Sequence, residues 1–410
     1  MVPDQISKLD LIQARIDVIP SDWQLCKVAE ALKIRNNLRK PISQEVRETI
    51  KGNYPYYGPT KVQGYISEYE QDGTYALIGE DGDHFLKYAT MPQTQYISGK
   101  CTVNNHAHIL ESSEICDAQW FFNYFKHRDI TNFLSRQGAG RFKLNKATLE
   151  KLPMLVPPLP EQRKIAKILS TWDKAISTTE KLIETSKQQK KALMQQLLTG
   201  KKRLVNHETG KAFDGDWNSQ PISSLITESR IAGTNGELAR KLTVKLYGRG
   251  VTQKEEKRLG SSSTKYYKRK SGQFIYSKLD FLNGAFGIIP EHLDGFESTL
   301  DLPAFDFSEA VEPNWFIEFV SRDDFYTSNL GLANGGRKAR RVNPKDLLQI
   351  KVQVPSLEEQ QKIASVLTAA DKETKVLEAK LAHFKQEKKA LMQQLLTGKR
   401  RVKVEEMEVA

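Results

Sequence analysis

Several things this sequence lacks narrow what it can be. No run of about 18 apolar residues occurs, so no membrane-spanning helix and no membrane partner are expected. The opening stretch, MVPDQISKLDLIQARIDVIP, interleaves charges with apolar residues and holds no signal-peptide core, which predicts a cytoplasmic protein. Cysteine is scarce: Cys26, Cys101 and Cys116 all lie in the first half, none in C-x-x-C spacing. That argues against a disulfide framework or a cysteine-based zinc site. Catalytic signatures are missing as well. There is no G-x-x-x-x-G-K-[ST] phosphate loop, and Thr199-Gly200-Lys201 holds only a fragment of one. No G-x-G-x-x-G follows a strand, and there is no G-x-S-x-G elbow. The N-P-P-F/Y tetrad of adenine methyltransferases is absent, and Asn343-Pro344-Lys345 does not supply it. His106 and His108 share a strand face but have no third ligand, so they are expected to make local hydrogen bonds beside Asn104 and Asn105 rather than hold a metal.

Proline and glycine are absent from two long stretches, residues 161–198 and 358–396. Pro160 suits the first turn of a helix, Glu161 complements its dipole, and Gly200 is a helix stop. In the second stretch Ser356 and Glu359 form a capping box, with Glu359 reaching back, and Gly398 ends the helix. Each helix would run about 39 residues, or about 58 Å at ~1.5 Å per residue. Alternating four-three spacing selects Ile165, Leu169, Trp172, Ile176, Thr179, Ile183, Ser186, Lys190, Leu193 and Leu197. In the second helix it selects Ile363, Leu367, Ala370, Thr374, Leu377, Leu381, Phe384, Lys388, Leu391 and Leu395. Such a seam predicts a coiled coil, and two seams in one chain most simply pair with each other.

Both stretches end on the same twelve letters. Lys190-Lys191-Ala192-Leu193-Met194-Gln195-Gln196-Leu197-Leu198-Thr199-Gly200-Lys201 recurs 198 residues later, from Lys388 to Lys399. This is a duplication, in a chain of 410 residues that is too long for one ordinary core. The halves share further landmarks. Asp22-Trp23 and Asp216-Trp217 open the modules, Trp120-Phe121-Phe122 and Trp315-Phe316-Ile317 begin a late helix, and Asn145 and Asn343 keep the 198-residue shift. Between landmarks the modules differ, so one repeated frame carries two distinct surfaces. In the first module, residues 34–50 can be helix or loop. Residues 74–78 form a strand, and Asp81-Gly82 marks a turn. Residues 102–110 read as a strand, and residues 118–134 as a helix packed on the sheet.

Charge is the last feature. The chain carries a net charge of +12, which favours a polyanionic partner where it clusters. Clusters with aromatics or glycines do occur. The first module has residues 33–40, Tyr54, Tyr56 and Tyr57, and the loop from Arg136 to Arg141. The second has Lys257-Arg258, then Lys265, Tyr266, Tyr267, Lys268 and Arg269, and later Arg337, Lys338, Arg340 and Arg341. Lysine and arginine neutralise phosphates, glycines admit the backbone close to them, and Arg, Asn and Tyr reach base edges. Lys201-Lys202-Arg203 and Lys399-Arg400-Arg401 are expected only to complement helix dipoles. On these grounds a DNA-recognition chain, a protein scaffold with incidental basic loops, and an autonomous nuclease or methyltransferase all stand open.

The sequence resembles the DNA specificity subunit of type I restriction–modification systems. The resemblance spans almost the whole chain and rests on two divergent modules. Each is followed by P-x-x-E-Q-x-x-I-A-x-x-L (from Pro158; Ser356 replaces that proline in the second copy) and by K-K-A-L-M-Q-Q-L-L-T-G-K. Tyr54-Pro55-Tyr56-Tyr57-Gly58, Ile78-Gly79-Glu80-Asp81-Gly82 and Asn104-Asn105-His106-Ala107-His108 also resemble that family's target recognition domains.

The resemblance implies an α/β (α+β) chain. Two globular target recognition domains, residues 1–155 and 201–353, are joined by two long conserved helices, residues 156–200 and 354–400, with a tail at 401–410. The helices form an antiparallel coiled coil in a pseudo-twofold internal repeat. Each domain reads one half of a split site in double-stranded DNA, and the helices set the spacer. Asn104 and Asn105 join the basic and aromatic residues above as candidate DNA contacts. The chain is implied to be non-catalytic and to bind no cofactor. S-adenosylmethionine, ATP and magnesium belong to its partners, two modification (methyltransferase) subunits that methylate adenine and restriction/translocase subunits that cleave. Met194, Gln195, Met392 and Gln393 lie off the seam, and their repetition suggests a surface for docking the two modification subunits.

Overall fold

The computed structural model describes residues 6–137, 141–206, 208–255, 260–328 and 341–404. The chain forms two compact units: residues 1–178 with 381–410, and residues 179–380. Each therefore contains one globular module, the first part of the long helix that follows it, and the last part of the other long helix. The boundaries expected at 155/156 and 353/354 separate modules from helices, whereas the compact units divide each helix between them.

In the first unit, α1 (Lys8–Gln13), β1 (Gln24–Lys27), α2 (Val28–Ala31) and β2 (Lys33–Ile34) lead to α3 (Gln44–Thr49). Then come β3 (Lys51–Tyr57), β4 (Val62–Ile66), β5 (Gln71–Gly79), β6 (Thr94–Val103) and β7 (Ala107–Glu111). They make a six-stranded sheet in the order β2-β7-β5-β6-β3-β4. The β5 residues alternate faces: Ala76 and Ile78 join the main core, and Leu77 joins Ile97, Val103 and Ile109 on the other side. Helix α4 (Ala118–Phe125) packs Trp120, Phe121 and Tyr124 onto the first face. The β8 (Ser135–Gln137) and β9 (Arg141–Lys143) hairpin, α5 (Lys146–Lys151) and β10 (Pro153–Val156) follow, with β10 antiparallel to β1. The chain then enters α6 (Leu159–Leu197).

Three local expectations differ from what forms. Residues 102–110 are not one strand: Asn104 Oδ1 accepts the His106 amide at 2.8 Å, and this Asx turn separates β6 from β7. The helix expected over 118–134 ends at Phe125, after which Asp129 takes the Thr131 amide (3.1 Å) and hydroxyl (2.6 Å) to start a separate 3-10 turn. After Asp81-Gly82, where Gly82 has φ 133°, a 3-10 turn over Asp83–Lys87 intervenes before β6 returns.

The second unit begins β11 (Asn218–Pro221), β12 (Ile226–Ser229), β13 (Ala232–Asn235), β14 (Leu242–Val244), β15 (Val251–Gln253) and β16 (Lys265–Lys268). It continues with β17 (Phe274–Tyr276), β18 (Phe286–Ile288), β19 (Glu297–Ser298) and β20 (Ala304–Phe307). These build a four-stranded sheet β12-β20-β17-β18, a three-stranded sheet β13-β16-β19 and the β14-β15 hairpin. Phe274, Tyr276, Phe286 and Phe305 share a core with Trp315 and Phe316 of α7 (Pro313–Val320). After α8 (Asp323–Ser328) and α9 (Pro344–Leu348), β21 (Lys351–Val354) pairs antiparallel with β11, as β10 does with β1. Helix α10 (Leu357–Leu395) closes the fold.

The helices lack proline and glycine breakers after their first turns, so their hydrogen-bond ladders run uninterrupted. Within each unit their segments pair antiparallel. In the first, Asp173 meets Lys388, and Glu161 meets Arg401 beyond the end of α10. The Trp172 and Phe384 rings meet there edge to face at 5.6 Å. In the second, Ser186 Oγ and Thr374 Oγ1 are 2.9 Å apart, and Lys190 Nζ is 2.7 Å from Asp371. Ile165, Leu169, Ile183, Leu197, Ile363, Leu367 and Leu395 are buried, while Trp172, Ile176, Leu193, Leu377, Leu381, Phe384 and Leu391 are half-buried. The four-three spacing therefore lies against protein along its whole length. Among the described residues no helix is long and apolar enough to cross a membrane.

Candidate nucleic-acid interface

Residues that recur in both halves, outside the twelve-letter repeat, fasten each module to its helices. Arg401 grips Glu161 with Nε to Oε1 and Nη2 to Oε2, both at 2.8 Å, while the Trp23 indole N–H donates to the same carboxylate at 3.0 Å. In the second unit Arg203 grips Glu359 at 2.6 and 2.7 Å, and Trp217 donates at 3.2 Å. These arginines are thus not mere complements to helix dipoles. The capping box is also half of what was expected. Ser356 Oγ accepts the Glu359 amide at 3.3 Å, but the Glu359 carboxylate is taken by Arg203 and Trp217.

The neighbouring glutamine does the second fastening. Gln162 donates to the Ile115 and Pro157 carbonyls, both at 2.7 Å, and accepts the Asp117 amide at the start of α4. Gln360 donates to Ala310 (3.1 Å) and Pro355 (3.0 Å) and accepts the Glu312 amide at the start of α7. Glu-Gln is thus a latch that seats the late helix of each module on its coiled-coil segment. Met194 and Met392, whose repetition suggests an outer docking surface, pack instead against the core of their own unit, leaving Gln195 and Gln393 exposed.

In the first unit the scattered motifs converge. The Asn104 amide donates to the Tyr57 carbonyl at 2.9 Å, and Arg39 donates to the Asn105 carbonyl at 2.8 Å. Arg39 also bridges Glu80 at 2.7 Å, which Lys143 of the β8–β9 hairpin meets at 3.2 Å. Burial alone would raise the Glu80 pKa, but the Arg39 and Lys143 hydrogen bonds outweigh it and hold the carboxyl below its usual value. His108 is buried, which lowers its pKa. Its Nε2 lies 2.7 Å from the Leu144 carbonyl and its Nδ1 2.9 Å from Asn36, as a neutral ring requires. His106 lies 3.0 Å from Asp81. No group of three potential metal ligands occurs among the described residues.

The candidate contacts therefore divide. Asn105 is exposed, Tyr54 and Tyr57 are half-buried, and Tyr54 meets Tyr69 edge-on at 5.0 Å. Tyr56 is a core residue: fully buried, its hydroxyl accepts from the Ile42 amide and donates to the Lys40 carbonyl. Asn104 is occupied in its turn and with the Tyr56 hydroxyl at 3.1 Å. The backbones of Arg136 and Arg141 flank the hairpin loop, opposite Phe142 and Gln137.

In the second unit Lys265 and Lys268 are exposed on β16, with Tyr266 and Tyr267 half-buried between them. Arg269 belongs to the core. It is 1% exposed and donates to Ser298 Oγ (2.7 Å) and to the Ser229 (2.9 Å) and Leu302 (3.2 Å) carbonyls. Burial pushes its guanidinium down to about 10, still charged at neutral pH. Arg337, Lys338 and Arg340 lie outside the described residues. Arg341 is exposed and pairs with Asp301 at 2.9 Å.

One backbone contact matches the basic loops of the two modules. The Leu144 amide donates to the Glu80 carbonyl at 2.7 Å, and the Val342 amide to the Lys278 carbonyl at 2.9 Å. Both ends of that bond move by 198 residues, so the segment that follows each basic run is pinned to the equivalent turn. Lys143 and Lys278 carry no signal in the sequence, and Glu80 stands out only within the Ile78–Gly82 motif, because nothing local marks a turn residue as an anchor for a segment some 60 residues away.

The family described as type I restriction modification DNA specificity domain matches residues 20–187 and 325–386, more than half of the chain. A putative type I restriction enzyme specificity subunit of Haemophilus influenzae is 29% identical over 348 residues, covering 82% of this chain and 85% of the relative. The type I restriction enzyme MjaVIII specificity subunit of Methanocaldococcus jannaschii is 24% identical over 413 residues, covering 94% of both. The crystal structure of a type I restriction–modification S subunit from M. genitalium shares the fold, with a TM-score of 0.59 at 13% identity over 93% of this chain and 97% of that one. The chain belongs to the family of type I restriction–modification DNA specificity subunits.

Proposed function

We propose that this chain supplies the DNA sequence specificity of a type I restriction–modification complex, as a cytoplasmic, non-catalytic recognition subunit. Each compact unit reads one half of a bipartite site, and the two long helices set the spacer. Two modification subunits then methylate adenine, and restriction subunits cleave. S-adenosylmethionine, ATP and magnesium act on those partners. The observation that carries this reading is the pair of equivalent pins, Leu144 to Glu80 and Val342 to Lys278, which recur at the 198-residue shift in two otherwise different modules. A repeated frame with divergent faces is what reading two different half-sites demands. Gln195 and Gln393, exposed on the repeated helix ends, are the proposed docking points for the two modification subunits.

The test is titration of the chain, alone and with its modification subunits, against short duplexes at two salt concentrations. Binding should prefer one sequence and weaken steeply with salt, by a log–log slope of about −0.9 per phosphate neutralised. Binding that ignores both sequence and salt would identify a protein scaffold instead. Charge substitutions at both Gln195 and Gln393 should weaken the modification complex; an unchanged complex would remove them from the interface.

A further inference from the structure

The β14–β15 hairpin carries a loop, Lys245-Leu246-Tyr247-Gly248-Arg249-Gly250, in which Tyr247 is 75% exposed. A tyrosine projecting that far into solvent gains nothing for the fold. Its backbone is also unfavourable, with φ 60° in the left-handed region that favours glycine. Gly248 and Gly250 beside it have φ 66° and 78°, so the glycines have the conformations suited to them, and a bulky aromatic shares that region with them.

The surroundings hold this backbone in place. The Tyr247 amide donates to the Asn283 carbonyl at 2.9 Å, and the Gly248 amide to the Gly284 carbonyl at 2.8 Å. Gly284 is itself at φ 70°, and a Cβ there would stand 3.2 Å from the Tyr247 Cα. The ring is thus presented by a doubly tethered turn, while Lys245 and Arg249 are exposed on either side. The same 278–284 segment receives the Val342 amide at Lys278, so the Tyr247 turn and the end of the basic loop rest on one support.

We propose that Tyr247 is a specificity-determining contact of the second unit, its ring reaching base edges in a DNA groove while Lys245 and Arg249 meet the flanking phosphates. This rests on the function proposed above. A two-stranded ribbon fits the major groove, and a preset aromatic loses little freedom on binding. Strain at an exposed aromatic, held by bonds that fix its direction, matches a reading element rather than a packing one.

The test uses the complete modification complex and the duplex bearing whatever motif the wild type methylates, with each half-site scrambled in turn. Y247A and Y247G should lower discrimination of the second half-site at least tenfold and leave discrimination of the first unchanged. Y247G, which relieves the left-handed backbone, should melt at the wild-type temperature or above. Wild-type discrimination of both half-sites by Y247A and Y247G would overturn the inference, as would equal loss at both. A wild-type complex that discriminates neither half-site would instead overturn the functional reading on which it rests.

Discussion

Arg203 holds Glu359 by two parallel hydrogen bonds, 2.6 and 2.7 Å long, across 156 residues of sequence, and Arg401 holds Glu161 the same way across 240. The Glu359 side chain is only 1% exposed, so removing its partner strands a buried carboxylate. Arg203→Ala should destabilise the second unit by about 3–5 kcal/mol, less whatever the Trp217 N–H retains. Replacing both partners with apolar residues of similar volume should recover much of that. Urea unfolding of both variants decides the matter, and equal losses in the single and double variants would contradict the pairing.

The two helix stops should respond unequally to alanine. Gly200 and Gly398 both sit in the left-handed region, at φ 71° and 70°, where any Cβ costs about 1–2 kcal/mol. At Gly200 the added carbon meets the Trp217 ring at 3.5 Å, an ordinary contact, whereas at Gly398 it would lie 2.2 Å from Pro20 Cγ. Gly398→Ala should therefore lower the melting temperature more than Gly200→Ala. Equal drops would mean that the Pro20 segment moves aside freely.

What is legible in the sequence follows from these contacts. The helices are legible because their evidence is local and repeated: breakers are absent from Glu161 to Leu198, and apolar residues recur at four-three spacing. The partners of Glu359 and Glu161 are not, because a carboxylate one turn into a helix reads as a dipole partner until the fold brings a distant arginine to it. Tyr56 and Arg269 show the limit for the interface. A tyrosine or arginine in a basic, aromatic run reads as a surface contact, yet both satisfy their polar atoms on buried backbone or side-chain groups. Asn104-Asn105 is the converse case, a turn that breaks what reads as one continuous strand.

Acidification should weaken the first unit. Burial is the main cause that lowers the pKa of His84, His108 and His127 below the usual histidine value near 6.5. The folded chain therefore resists protonation that the unfolded chain accepts. Their contribution is complete above about pH 6.5 and is lost as pH falls from there through the folded values. The melting temperature should drop between about pH 7.5 and 5.5, and His108→Gln should reduce that drop. An identical drop in H108Q would assign the effect to other groups.

The coiled coil makes a quantitative prediction for the spacer. Four residues inserted near Ser186 add about 6 Å and a full turn. The recognised site should keep both half-sites and gain about two base pairs between them, at ~3.4 Å per pair. Genomic methylation by the altered complex reads this out. A changed half-site with the spacer intact would reverse the roles of modules and helices.

The most direct measurement is a genome-wide map of N6-methyladenine in a host that carries this chain with its modification subunits, set against the same host without the chain. One bipartite motif is expected, two specific half-sites around a spacer of fixed length and arbitrary sequence, methylated only when the chain is present. Methylation of a single continuous motif, or a map unchanged by the chain, would contradict the proposed function.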